Sequence, residues 1–592
     1  MKTRDRLISF FCAVLGGVFL IAASAQLKYI NSQRSEMKLI STDQPLKNAP
    51  PSLAFATVAM GAFRGLVVDI LWMRADRLKE KGQFFDAKQL ADWITALQPR
   101  FASVWQFQAW NMAYNISAAI PSVQADQRWK WVKNGYELLR DQGIPLNPKS
   151  IDLYQELGRI FQHKIGGVTD DAHKYYKVQL AESIAPLLGD ADEEFFDSLV
   201  RAPRSLGSLV KDPNVAAFLE TLFQADSTFA INDQLPSKYL SLRRNPARFN
   251  SKVFEALDTY RSAEAMRKFD VFAKAWQLRN VWKLEPEMMV QLNHTYGPID
   301  WNSGKHLPLD WRHPDCHAIY WAVKGLEATS DNFDINKTNT DRMVVHCLQN
   351  LFRNGKIFIY ESPIVKDPNG LTERKDYIAE KDVFLRPDLR MFESYNTAMM
   401  KVLEEYADAR ATTVDTLKTG HRNMLTNAVL MFYQGGHEKE AQKIYEQLRS
   451  LYPRDEFNVP LVVFARSQFI EGVKSLGIHD ASEMILMLLR EANFRYALRD
   501  DEAAYSSEQM AKEVYDHYEQ GFDENRISLP PFSRLKFLAV FDFYNDMQYP
   551  AQLRQSLLNR IQVERPELEK ELREQETKFR SEYESTQGQT SK

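Results

Sequence analysis

Cysteine is almost missing from this 592-residue chain: there are three, beside 24 glycines and 25 prolines. So few thiols exclude a disulfide-stapled scaffold. So little glycine and proline excludes collagen-like and low-complexity chains. An excess of one charge is missing too. Lys and Arg number 75, Asp and Glu 78, for a formal net charge of −3. Such a balance supplies no general basic field for nucleic acid. Catalytic signatures are also absent: the chain has no G-x-S-x-G, H-E-x-x-H, C-x-x-C or EF-hand loop. The nearest approach to a phosphate loop runs from Gly297 to Gly304-Lys305. Its glycines are spaced too widely, and His306 follows where Ser or Thr would hold magnesium. No cofactor and no catalytic residue are therefore assigned. What is present is 44% hydrophobic and 12% aromatic residues. That supports about four globular units at ~150 residues each, unless the chain is a repeat array.

Long apolar runs occur only near the amino end. Leu7–Ala25 carries no charge, and as a helix it reaches about 28 Å, near the ~30 Å of bilayer hydrocarbon. Lys2, Arg4 and Arg6 precede it, which favours a cytoplasmic amino end and an exported body. Residues 1–26 are read as a retained transmembrane anchor, because the run exceeds the usual ~7–15-residue signal core. Cleavage after Ala25, at Ala23-Ser24-Ala25, is the alternative. Cys12 is an apolar filler within this run. Residues 27–51 are polar, contain proline and form a linker. A second apolar stretch, Leu53–Met73, has Arg64 near its middle, at a cost of about 3 kcal/mol in a bilayer. It continues into Arg74-Ala75-Asp76-Arg77, so a buried soluble helix is expected. The alternatives are a membrane-surface helix or a second span, and a second span would leave the body cytoplasmic.

Beyond the linker, apolar residues recur at helical spacing and strand-like alternation is scarce. Ala75, Gly82, Ala87, Ala91, Ile94 and Pro99 share their offsets with Val429, Gly436, Ala441, Tyr445, Leu448 and Pro453. In each set small residues let two helices approach, a glycine turns the chain, and a proline ends the second helix. These positions resemble the tetratricopeptide repeat (TPR) family. Looser pairs join Phe101–Asn115 to Arg128–Arg140, and IDLYQELGRIFQHKIGG to DDAHKYYKVQLAES. Another first helix is expected at His317–Thr329, and a further pair joins Ser482–Ala497 to Glu502–Gln520. The expected class is all-α: an N-terminal transmembrane helix followed by an α-helical solenoid of TPR-like helix pairs. Its blocks are 52–180 (TPR-like), 181–300 (irregular helical), 301–400 (Trp/His-rich loop and helices), 401–562 (TPR-like) and 563–592 (charged tail).

The resemblance implies that the first helix of each pair lines a concave, partner-binding face. By register, that face carries Asp69, Trp72, Asp76 and Lys79, then Gln106, Trp110 and Tyr114, then Thr426, Leu430, Tyr433 and Gln434. Repeats that clamp a peptide's terminal carboxylate carry Lys and Asn at the corresponding positions, so that mode of docking is not expected here. Aromatic and amide groups suit protein partners or stacking on sugars. For Trp72 and Trp110 the alternative is packing between repeats. The expected function is a membrane-tethered scaffold or adaptor in a bacterial envelope assembly. The alternatives are an accessory subunit of a transport or surface-polysaccharide machine, and a metal-dependent enzyme.

Residues 294–347 gather His294, His306, His313, His317 and His346 with Cys316 and Cys347. Cys316-His317 and His346-Cys347 contain zinc-ligand types. Adjacent helical residues diverge by about 100°, however, so each pair offers one good ligand at most and no metal site is assigned. Cys316 and Cys347 either form a disulfide or remain separate buried thiols. The connection YGPIDWNSGKHLPLDWRHPD carries Asp300-Trp301 and Asp310-Trp311. Such a loop either packs its tryptophans into the core or binds something.

Overall fold

The computed structural model describes Gln26, 64–244, 246–329, 335–362, 380–408, 410–435, 437–474, 478–520, 529–545, Tyr549 and 551–589. The anchor up to Ala25, the linker, residues 52–63 and Gly436 lie outside those residues. Among the described residues no helix is long and apolar enough to cross a membrane. The chain divides into two compact units, residues 1–402 and 403–592. Both are predominantly helical.

In the first unit, α1 (Arg64–Glu80) and α2 (Phe84–Leu97) fold back on one another. At the turn Gly82 takes φ 73°, a conformation that glycine adopts without a Cβ penalty. Ala75 and Ala91 are fully buried where the pair closes on Val68, Leu90 and Ile94. Past α2 the Pro99 carbonyl accepts hydrogen bonds from Trp105 Nε1 (2.8 Å) and Asn147 Nδ2 (3.1 Å). Then come α3 (Ala102–Trp110), α4 (Ala125–Leu138) and α5 (Ile151–Arg159). Each continues into a π-helical stretch, at Asn111–Ile116, Leu139–Gly143 and Ile160–Ile165 respectively. Such wider turns shift the register of whatever follows. α4 packs on α3 and its π-helical extension.

The expected third pair differs from the structure. α5 packs chiefly not on α6 (His173–Ile184) but on α7 (Pro314–Ala328), which in turn pairs with α8 (Ile335–Asn354). Gly325 makes the α5–α7 crossing possible, since a Cβ there would sit 2.6 Å from Tyr154 Cβ. Between α6 and α7 lies a helical region whose Phe218, Tyr239, Phe269 and Phe272 rings meet in its core.

Among the described residues, one pair of strands accompanies the helices. β1 (Lys356–Ser362) and β2 (Glu380–Arg386) form an antiparallel ribbon, paired from Lys356↔Arg386 to Ser362↔Glu380. Ile357, Ile359, Val383 and Leu385 lay one face of it on Val178 and Ala181 of α6. α9 (Phe392–Glu405) follows, and the division between the units falls within its last turn.

In the second unit α10 (Ala411–Gln434) and α11 (Glu438–Leu451) pack together over Ala428, Val429, Ala441 and Leu448, all fully buried. Tyr445 is buried as well, and its hydroxyl donates toward the Phe457 and Val459 carbonyls (2.9 and 3.0 Å). After α12 (Leu461–Lys474), α13 (Ile478–Ala497) and α14 (Asp501–Gln520) close on Ala481, Ile485, Ala511 and Val514. α15 (Phe532–Asn545), α16 (Ala551–Glu564) and α17 (Pro566–Gln589) follow. The first turns of α17 are docked, with Leu568 and Leu572 packed on Phe543, Leu557 and Ile561.

Candidate functional site

Most of the N-terminal residues expected on the partner face form one row. Trp72 is half-buried, its ring 5.8 Å from Phe101 and 5.1 Å from Phe107. Asp76 holds Lys79 (2.9 Å), whose ammonium lies over the Phe107 and Trp110 rings. Trp110 stacks on Tyr114 at 6.2 Å. Tyr114 meets His163 at 5.8 Å and is overlain by Arg159 and Lys164. Its phenol is pushed well up, first by burial and then by the Glu156 carboxylate. Gln106 hydrogen-bonds Glu156, whose carboxyl is itself pushed up by burial. Rings and cations thus alternate along α1, α3 and the π-helical stretches after α3 and α5. Trp72 and Trp110 serve two roles here: they pack between helices and keep part of their rings at the surface. Asp69 stays exposed beside the row. In the other unit, Thr426, Leu430 and Tyr433 are half-buried on α10 and Gln434 is exposed.

The Trp/His-rich connection separates its two Asp-Trp pairs. Asp300 is half-buried and accepts from Ser303 Oγ (2.6 Å) and N (3.1 Å), which closes a turn. Hydrogen bonding to those groups lowers its carboxyl. Trp301 is half exposed at 50%, whereas Trp311 is at 0% and donates Nε1–H to Asn293 Oδ1 (3.0 Å). The residues after Trp311 knit α7 to this loop. His313 Nδ1 accepts from Asp315 N (3.2 Å), capping the helix, and Cys316 Sγ donates to the Asp310 carbonyl (3.1 Å). His317 Nε2 lies 2.9 Å from the Trp311 carbonyl, which can only accept, so that nitrogen carries the hydrogen. Burial pushes both His313 and His317 down to about 4. Asp315 is pushed up to about 7 by burial, and Lys177 down to about 8 for the same reason.

The four zinc-ligand types do not assemble into a site. His346 is exposed on α8 while Cys347 is buried, the divergence that neighbouring helical residues impose. Cys316 and Cys347 are free, buried thiols, not a disulfide, and burial raises both well above the ordinary thiol range. Among the described residues no three His, Cys, Asp or Glu converge as a metal-ligand group.

Sequence reasoning missed a cleft of about 220 Å³ lined by Pro298, Pro308, Asp310, Arg312, Lys356, Phe358, Asp388 and Arg390. Two Asp-x-Arg turns repeat one geometry there. Asp310 Oδ1 accepts from Arg312 N (3.1 Å) and Nε (2.8 Å), and its Oδ2 accepts from Nη2 (2.7 Å). Asp388 does the same for Arg390, at 3.2, 2.9 and 2.8 Å. These bonds hold both guanidiniums above their ordinary range. The two segments are tied together by Ile299 N donating to the Arg390 carbonyl (2.9 Å) and Ser394 Oγ to the Gly297 carbonyl (2.6 Å). The available signal was the recurrence of Pro-Leu-Asp-Trp-Arg at 308–312 and Pro-Asp-Leu-Arg at 387–390.

In comparison with known proteins, no family model matches this chain and no curated protein matches it.

Proposed function

We propose that this protein is a membrane-tethered helical scaffold built from TPR-like helix pairs. Its N-terminal face would hold a protein partner in an envelope assembly. The observation that carries this reading is the continuous ring–cation row from Trp72 through Phe107, Trp110 and Tyr114 to His163. Partly exposed aromatics beside Lys79 and Arg159 have the composition of protein-binding hot spots, where rigid rings give large contact area at low entropic cost. The apolar Leu7–Ala25 run supports the tether, and its basic flank supports an exported body. Confinement to a membrane would raise the partner's effective concentration without any new contact.

A photo-crosslinking amino acid placed at Trp110 or Tyr114 in cells tests the partner face, with exposed Lys130 on α4 as the control. A discrete adduct from 110 and 114, absent from 130, is expected. Equal labelling from 130, or no adduct from either row position, refutes the reading. Reporters fused after Pro51 and after Gln98 test the topology. Exported signal from both is expected, and opposite signals would reverse the orientation.

A further inference from the structure

The cleft beside β1 has no part in the partner-binding reading, yet its construction is that of a binding site. Two arginines from segments far apart in sequence line the same hollow, each pinned through Nε and Nη2 by a carboxylate two residues earlier. Pinning fixes a planar fork in advance, so little side-chain entropy is lost when a ligand arrives. These guanidiniums keep 38% and 36% of their side-chain surface exposed. Neither Nη1 is hydrogen-bonded by a described residue. The Asp oxygens, by contrast, already accept from their own arginines and backbone amides, so donors are in surplus at the wall.

Charge points the same way. Lys356 also lines the cleft, so its cations outnumber its carboxylates by one, although the whole chain is net negative. The remaining wall is apolar, with Pro298, Pro308, Ile357, Phe358 and Met391. That surface gives an organic body an advantage over a bare ion. About 220 Å³ is below the ~300–1,000 Å³ of drug-sized pockets. A hollow below that range suits a ligand smaller than drug size, such as a monosaccharide.

We propose that this cleft binds a small organic anion of monosaccharide size, carrying a carboxylate or a phosphate ester that Arg312, Arg390 and Lys356 receive. The body of the ligand rests against the Pro298–Pro308–Phe358 wall.

Isothermal titration of the full-length, detergent-solubilised chain tests this, with glucuronate, glucose 6-phosphate, glucose and inorganic phosphate as probes. Saturable one-to-one binding of glucuronate or glucose 6-phosphate is expected, stronger than that of glucose or inorganic phosphate; which of the two binds identifies the oxyanion. Lys356→Glu reverses the excess charge at an exposed position, and Arg312→Gln removes one fork. Each should weaken binding about tenfold or more, as loss of a charge-assisted contact does. The thermal unfolding midpoint of Lys356→Glu should stay at the wild-type value, which separates lost binding from lost folding. The proposal is overturned if neither organic anion binds at about 10 mM, a limit near 3 kcal/mol of affinity. Undiminished binding in Lys356→Glu, or equal binding of glucose, overturns it as well.

Discussion

His317 makes the first unit sensitive to acid. Its ring stacks on Phe161 at 4.9 Å and lies near Trp282 and Trp311, and its Nε2–H is bonded to the Trp311 carbonyl. Burial lowers its folded-state value to about 4 from an ordinary 6.5. The unfolded chain therefore takes the proton first. Stability is fully present above about pH 6.5 and is lost as pH falls through 4. Linkage makes the loss negligible at pH 7 and about 2 kcal/mol at pH 5. His317→Gln keeps an amide donor for the Trp311 carbonyl and removes the titration. All 11 tryptophans precede residue 402, so their fluorescence reports on the first unit alone. Urea unfolding followed by that fluorescence at pH 7 and pH 5 is the assay. The native protein should lose about 2 kcal/mol more than the variant between the two pH values. Asp315, pushed up to about 7, opposes this by gaining stability as pH falls, but it does so in both proteins and cancels in the difference. Equal pH slopes for the two proteins would refute the claim that a neutral, buried imidazole sets this dependence.

Three further outcomes are expected. Asp170 accepts from Lys164 (2.5 Å) and Arg128 (3.0 Å), all nearly buried. Burial alone would raise its carboxyl, but these partners and the Ala172 amide hold it below the usual range. Asp170→Asn strands two buried cations and should cost about 3–5 kcal/mol in urea unfolding; a loss under about 1 kcal/mol would show the cluster to be solvated. Gly325→Ala drives a methyl against Tyr154 Cβ, a contact no flexible tip can relieve. A net loss of about 1–3 kcal/mol is expected despite alanine's better helix propensity, and a stabilised variant would contradict the close α5–α7 crossing. Cys316 and Cys347 should resist a water-soluble maleimide in the native protein and react once denaturant opens the fold, as read by mass spectrometry. Rapid native labelling at either position would mean that the core around Asp315 opens freely.

The helix pairs α1–α2, α10–α11 and α13–α14 were legible because their signals are local: alanines on one stripe, and a turn or stop at the ends. The β-ribbon was not. Ile357, Phe358, Ile359 and Tyr360 are apolar on both faces, so the run lacks the polar alternation that marks a strand. The partner of α5 was misjudged for a related reason. Gly158 and Tyr154 announce a close helix contact, but nothing within the segment says that α7, over 150 residues later, supplies it. In the loop both Asp-Trp pairs looked alike, yet Asn293 provides an acceptor for the Trp311 indole and draws it into the core. Trp301 keeps half of its surface exposed. The row of rings from Trp72 to Tyr114 was legible as a face. Its cations Arg159 and Lys164 were not, because they come from another helix, Arg159 at the end of α5 and Lys164 in its π-helical extension.

The order of residues alone determined that this chain is mainly helical, where its main helix pairs turn and stop, and that no dense charge or thiol framework governs it. Those properties arise from spacing, capping and composition within a few residues of each position. Tertiary structure alone decided which helices meet, that His313, Cys316 and His317 are buried fastenings, and that Asp310–Arg312 and Asp388–Arg390 face one cleft. Such outcomes depend on packing between residues up to hundreds of positions apart, where shape, burial and the pairing of charges are settled together.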